Sequence, residues 1–180
     1  MEHPLFTSSG RLDIRPSAGS SKNDFDFYQG KWTIRNRRLK KRLSNCTEWE
    51  EFEADQEMSK ILDGNGNIDF FHARTGNNVY EGMALRLFNP ASRLWSIYWA
   101  DNKKVELDTP VKGSFENKIG HFYAEDIWEG REIIIRFCWD VTNSESPVWS
   151  QAFSTDRGES WEWNWYMYMQ RRTNTTGNKQ

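Results

Sequence analysis

The stretch Ser160–Arg171, SWEWNWYMYMQR, constrains the fold more than any other. Trp161, Trp163, Trp165, Met167 and Met169 recur at every second residue, with Glu162, Asn164, Tyr166, Tyr168 and Gln170 between them. A period of two places the two sets on opposite faces of one extended strand. Indoles of that size need a curved sheet to receive them. The expectation is therefore a β-barrel with an aromatic lining.

The preceding chain supplies the other strands. Phe25, Phe27 and Tyr28 are placed to plug one barrel end, and Gly30 opens the first strand. The basic run Arg35–Arg42, RNRRLKKR, is followed by the acidic run Glu48–Glu57, EWEEFEADQE. A hairpin about LSNCT would set Arg42 against Glu48, Lys40 against Glu50, Arg37 against Glu53 and Arg35 against Asp55. Such a charge-zipped hairpin accounts for the basic run without a nucleic-acid partner. It also turns Trp32, Ile34, Asn36, Arg38, Phe52, Ala54, Gln56 and Met58 inward.

Beyond a Gly64-Asn65-Gly66 turn, Ile68, Phe70 and His72 are expected inside. Asn89–Ser92 would join two strands, pairing Arg86 with Trp95 and Gly82 with Trp99, with Arg86 as a cation–π partner of Trp95. Residues 102–119 suggest two short strands broken at Pro110. Glu129-Gly130 makes a two-residue hairpin that sets Trp128 against Arg131 and gathers Phe122, Ala124, Ile133, Ile135, Phe137 and Trp139 inside. In the last hairpin Ala152 would oppose Trp163 and Ser150 oppose Trp165, leaving Trp149, Phe153, Tyr166 and Tyr168 outside. The result is an all-β, single up-and-down antiparallel barrel of about ten strands, closed so that no sheet edge remains. Residues 1–23 read as a flexible N-terminal arm, 24–172 as the barrel domain and 173–180 as a disordered tail.

Composition narrows the partners. Lys and Arg total 24 against 26 Asp and Glu, a net charge of −2, which argues against a polyanion held by bulk charge. No apolar run reaches the roughly 18 residues of a membrane helix, so no membrane is expected. The N-terminal residues lack an apolar core like that of a secretory signal. Cys46 and Cys138 stand far apart without metal-like spacing and suit plain thiols in a reducing cytoplasm. No HExxH, CxxC or paired-His spacing points to a metal, and no Gly-x-Ser-x-Gly points to a nucleophilic triad.

Gly30-Lys31-Trp32 resembles the Gly-x-Trp signature opening the first strand of lipocalin-like, or calycin, barrels. That resemblance implies that Trp32 closes one barrel end and packs under Arg171, just past the last strand. The segments DFDFYQGKWTIRNRRLKKRL, EGMALRLFNPASRLWSIYWADN and QAFSTDRGESWEWNW resemble an uncharacterised bacterial family with a calycin-like barrel. This resemblance implies the fold and no activity. Ser154-x-Asp156-x-Gly158-x-x-Trp161 resembles an Asp-box, a hairpin motif whose role is structural. Haem-binding calycins of the nitrobindin type would need a proximal His, for which His72 is the inward candidate. A lone His on an apolar face is usually core, so no cofactor, haem included, is expected.

The function expected is binding inside the barrel of a small apolar or aromatic ligand whose polar group is a carboxylate or a phenol. Trp95, Trp99, Phe122, Phe137, Trp139, Trp163 and Trp165 would line the site. Asn36, Arg38, Arg86 and His72 would orient the polar group. Two alternatives share the scaffold. One is an isomerase or cyclase using Arg38, Arg86, His72 and Asp126 in the same cavity. The other is a filled barrel serving as an interaction unit, such as a homodimer, through its outward aromatics.

Overall fold

A computed structural model describes residues 6–75 and 78–172; His3 and the expected tail at 173–180 lie outside the described residues. Ten strands form a closed barrel in which each pairs with its neighbours in the chain and β10 returns to β1. They are β1 (Gly30–Leu39), β2 (Trp49–Ile61), β3 (Gly66–Thr75), β4 (Asn78–Asn89), β5 (Leu94–Asp101), β6 (Val111–Glu116), β7 (Ile119–Trp128), β8 (Arg131–Asp140), β9 (Val148–Ser154) and β10 (Glu162–Arg171). All the pairings are antiparallel. Helix among the described residues amounts to two single 3₁₀ turns, Asp26–Tyr28 and Leu62–Gly64.

One end is plugged before β1 begins. The Phe25 ring sits edge-on to Trp95, Phe115 and Trp139, with centroids 5.0, 5.1 and 5.6 Å away. Burying one such ring contributes about 1.5–3 kcal/mol relative to leaving it exposed. Trp32 Nε1 donates to the Tyr28 carbonyl at 2.8 Å, and the Arg171 guanidinium lies 4.3 Å from the Trp32 ring centroid. Arg171 also donates to the carbonyls of Phe27 and Gln29, which ties the last strand to the plug. Residues 17–21, in the segment read as an arm, bond to the barrel: the Ser17 amide donates to Ser114 and the Ser20 hydroxyl to the Arg93 carbonyl.

The β7–β8 hairpin has the expected register, with Trp128 opposite Arg131 and Gly120 opposite Trp139. Its two turn residues, Glu129 and Gly130, both have positive φ, as a type I′ turn requires. The β1–β2 and β4–β5 hairpins slip by two residues from expectation. Arg35 opposes Glu53 rather than Asp55, and Arg86 opposes Ile97 rather than Trp95. An even slip leaves every side chain on its expected face. It does dissolve most of the charge zipper. Lys40–Glu48 and Arg38–Glu50 pair at 2.8 and 2.7 Å, but Arg35 lies over Tyr168, Arg37 over Trp49, and Asp55 is taken by Arg172. Residues 102–119 yield one strand, β6, joined to β5 only at Trp95–Ile97.

Three assignments of face are overturned. On β3 the inward residues are Asn67, Asp69, Phe71 and Ala73, while Phe70 is 50% exposed and His72 faces outward beside Glu81. On β9 the inward residues are Trp149, Gln151 and Phe153, not Ser150 and Ala152. On β10 the register shifts between Trp163 and Trp165. This bulge at Asn164 sends Trp161 and Trp163 to the outer wall, while Trp165, Met167 and Met169 point inside.

Candidate functional site

The inner wall of β2, β3 and β4 carries a polar chain on which the site is built. Asp69 is fully buried, and Arg86 Nη1 donates to its carboxylate and, at 3.0 Å, to Asn67 Oδ1. Gln56 Nε2 donates to the other Asp69 oxygen, and the Tyr28 hydroxyl donates to Gln56 Oε1. Burial, and then the Asp69 carboxylate, push the Tyr28 phenol well above its ordinary pKa, so it stays a neutral donor. The Arg86 guanidinium is also boxed by the rings of Phe25, Tyr28 and Trp139, 5.1, 5.3 and 5.6 Å from their centroids. Its cation–π partners are therefore Phe25 and Tyr28 of the plug and Trp139 of β8, not Trp95.

Beside this chain lies a cavity of about 80 Å³. Its polar wall is Tyr28, Gln56, Arg86, Asp108 and Gln151; its apolar wall includes Trp99, Trp139, Trp149 and Trp165. Met167 and Met169 complete it, and both are unbranched and able to repack. Among the described residues, two residues of this lining hold a buried donor with no partner, Arg86 Nε and Trp139 Nε1. Leaving a buried donor unmade costs about 1–3 kcal/mol, so such atoms mark a place where an acceptor belongs.

The candidate residues divide into groups. Arg86, Trp99, Phe137, Trp139 and Trp165 share the cavity wall. Asn36 is fully buried and accepts from Trp165 Nε1 at 3.0 Å, so it positions that indole. Trp95 and Phe122 belong to the plugged end, where Trp95 Nε1 donates to the Ser21 carbonyl at 3.1 Å. Arg38 lies at the opposite end, bonded to Glu50 and over Phe52, Tyr80 and Trp165. His72 and Trp163 lie on the outer wall, away from the site. The Asp-box residues hold their turn: the Ser154 hydroxyl donates to Asp156 Oδ1 at 2.7 Å and accepts from the Gly158 amide at 2.7 Å. Trp161 packs outside against Tyr123 and Arg136.

Tyr28, Gln56, Asp69, Trp149 and Gln151 complete the site, and none was expected there from sequence: Tyr28 reads as part of the plug and Trp149 as an outward aromatic. Gln56 was legible as inward. Asp69 was not, because an acidic residue beside two phenylalanines reads as the solvent side of a strand. Among the described residues no cluster of three His, Cys, Asp or Glu could hold a metal, and no helix is long and apolar enough to cross a membrane.

These features define the class: an all-β, lipocalin-like barrel with a plugged floor and a small polar-and-aromatic interior. A structure it resembles is that of an S-type phycobiliprotein lyase from Guillardia theta, with a TM-score of 0.56 at 10% identity over 87% of this chain and 94% of the other. At that identity the likeness concerns the fold. No family model and no curated protein matches the sequence.

Proposed function

We propose that this barrel binds a small apolar or aromatic ligand bearing a carboxylate or carbonyl, with the acceptor seated against Arg86 Nε and Trp139 Nε1. The observation that carries this reading is that two residues lining one cavity each hold a buried, unpartnered donor. A volume of about 80 Å³ suits the head of a ligand, and the methionines offer room for the rest. Because Arg86 is already neutralised by Asp69, the head is held by hydrogen bonding more than by net charge. The fold neighbour is named as a phycobiliprotein lyase. At 10% identity that supports the fold and leaves the ligand to be chosen from the cavity's own chemistry.

Benzoate is the probe, read by the indole N–H resonance of Trp139 in 15N-labelled protein. A saturable shift of that resonance is expected. Trp139→Phe, which removes the donor and keeps an aromatic ring, should weaken benzoate about three- to tenfold, the worth of one hydrogen bond. A Trp139 signal that stays put, or an affinity unchanged in Trp139→Phe, overturns the reading.

A further inference from the structure

At the barrel end opposite the plug, residues 40–48 fold across the mouth as a strap. The Leu43 amide donates to both carboxylate oxygens of Glu162, at 2.8 and 3.0 Å, and Arg131 Nη1 donates to the Leu43 carbonyl at 3.1 Å. This anchoring sets the Arg42 guanidinium 5.0, 5.4 and 5.8 Å from the ring centroids of Trp128, Phe153 and Trp165.

Arg42 has aromatic faces around it and, among the described residues, no carboxylate bonded to it, although Glu162 and Glu50 are near enough to favour its charge. The two nearby acids are occupied: Glu50 pairs with Arg38 at 2.7 Å, and Glu162 holds the Leu43 amide. Among the described residues no side chain or carbonyl accepts a hydrogen bond from Arg42. Burial, and then the like charge of Arg38, lower its pKa to about 10. Trp128 Nε1, on one of the rings beneath it, is buried and also lacks an acceptor. The Arg42 nitrogens are not among the enclosed, unpartnered atoms, so an anion arriving from solvent can reach them. A guanidinium presents five donors in a planar fork, a shape matched by a carboxylate.

We infer that the barrel mouth is a second binding site, for the carboxylate of a small aromatic acid, with Arg42 as the anion partner and the Trp128 ring beneath it as an aromatic face. The rings that flank Arg42 favour an aromatic body over an inorganic ion. The two sites share the Trp165 ring but not their donors, so the mouth site holds whether or not the floor cavity takes a ligand.

The experiment uses the full-length 15N-labelled chain and two probes of one shape, benzoate and the neutral benzamide. Benzoate should shift the Arg42 Nε–H and Trp128 indole N–H resonances saturably, and benzamide should leave them in place. Arg42→Met should weaken the Trp128 response about tenfold or more, the scale of a charge-assisted hydrogen bond. The Trp139 response should persist in that variant, and the mouth response should persist in Trp139→Phe, so the two sites fail separately. Static Arg42 and Trp128 signals would mean that Arg42 only fastens the strap, and the inference falls. An equal response to benzamide overturns it as well. That comparison needs only the wild-type chain and so does not depend on how the variant folds.

Discussion

Asp156 receives hydrogen bonds from the Ser160 hydroxyl and amide and from the Ser154 hydroxyl, and these hold its pKa down to about 2. An unconstrained Asp titrates near 3.9, so this group favours the folded state above about pH 4, an advantage lost as pH falls through about 2. An NMR titration of its carboxyl carbon should show the low midpoint. Asp156→Asn should flatten the fall in urea midpoint between about pH 4 and pH 2. Gly113 makes a steric prediction. A Cβ placed there would lie 1.8 Å from the His121 carbonyl oxygen, a backbone atom that cannot step aside. Gly113→Ala should therefore destabilise by about 1–3 kcal/mol or more, read as a fall in denaturant midpoint. Asp69→Asn removes the counter-charge of a buried arginine, and a loss of about 3–5 kcal/mol is expected by the same measurement. None of these three roles was fully legible in the sequence. The Asp-box spacing named the Asp156 turn. The Gly113 clash and the Asp69–Arg86 pair depend on which strands lie adjacent.

The β7–β8 hairpin was the most legible element, whereas the equally short Asn117-Lys118 turn between β6 and β7 was not read. In β7–β8 the Glu-Gly turn, the apolar alternation and the small residue opposite Trp139 agree on one register, and the structure has it. The β1–β2 connection is nine residues, 40–48, with Leu43 and Asn45 at positive φ, and its register follows the strap's path across the mouth rather than charge matching. Strand β10 shows the limit of periodicity. One inserted residue, Asn164, turns a single apolar face into two half-faces, and nothing in the alternation of SWEWNWYMYM signals it. The bulge is held because the buried Gln151 side chain donates to Asn164 Oδ1 at 2.8 Å. Asn164→Ala should leave that amide unpaired and cost about 1–3 kcal/mol in a urea melt. The outer wall gains what the lining loses. Trp163 stacks near Tyr166 there, and Arg136 lies under Tyr123, Trp161 and Trp163.

Closure of the whole molecule depends on contacts between chain ends. Strands β1 and β10 pair from Trp32–Arg171 to Arg38–Trp165, and Arg171 then reaches the plug. Arg171→Ala should cost about 1–3 kcal/mol. Its signature should be faster amide exchange at residues 25–32 while the turn end of the β7–β8 hairpin, around Trp128 and Arg131, stays protected, because that end lies at the mouth and away from the plug. Alternation, turn chemistry and the absence of helical periodicity were enough to specify an all-β chain of consecutive antiparallel strands, since each of these is a local property of the backbone and its neighbours. Which face each strand presents, which acid meets which arginine, and where unpartnered donors gather were decided by the tertiary structure. A bulge or a two-residue slip alters only a few hydrogen bonds locally, yet barrel closure carries its effect to every strand across the interior.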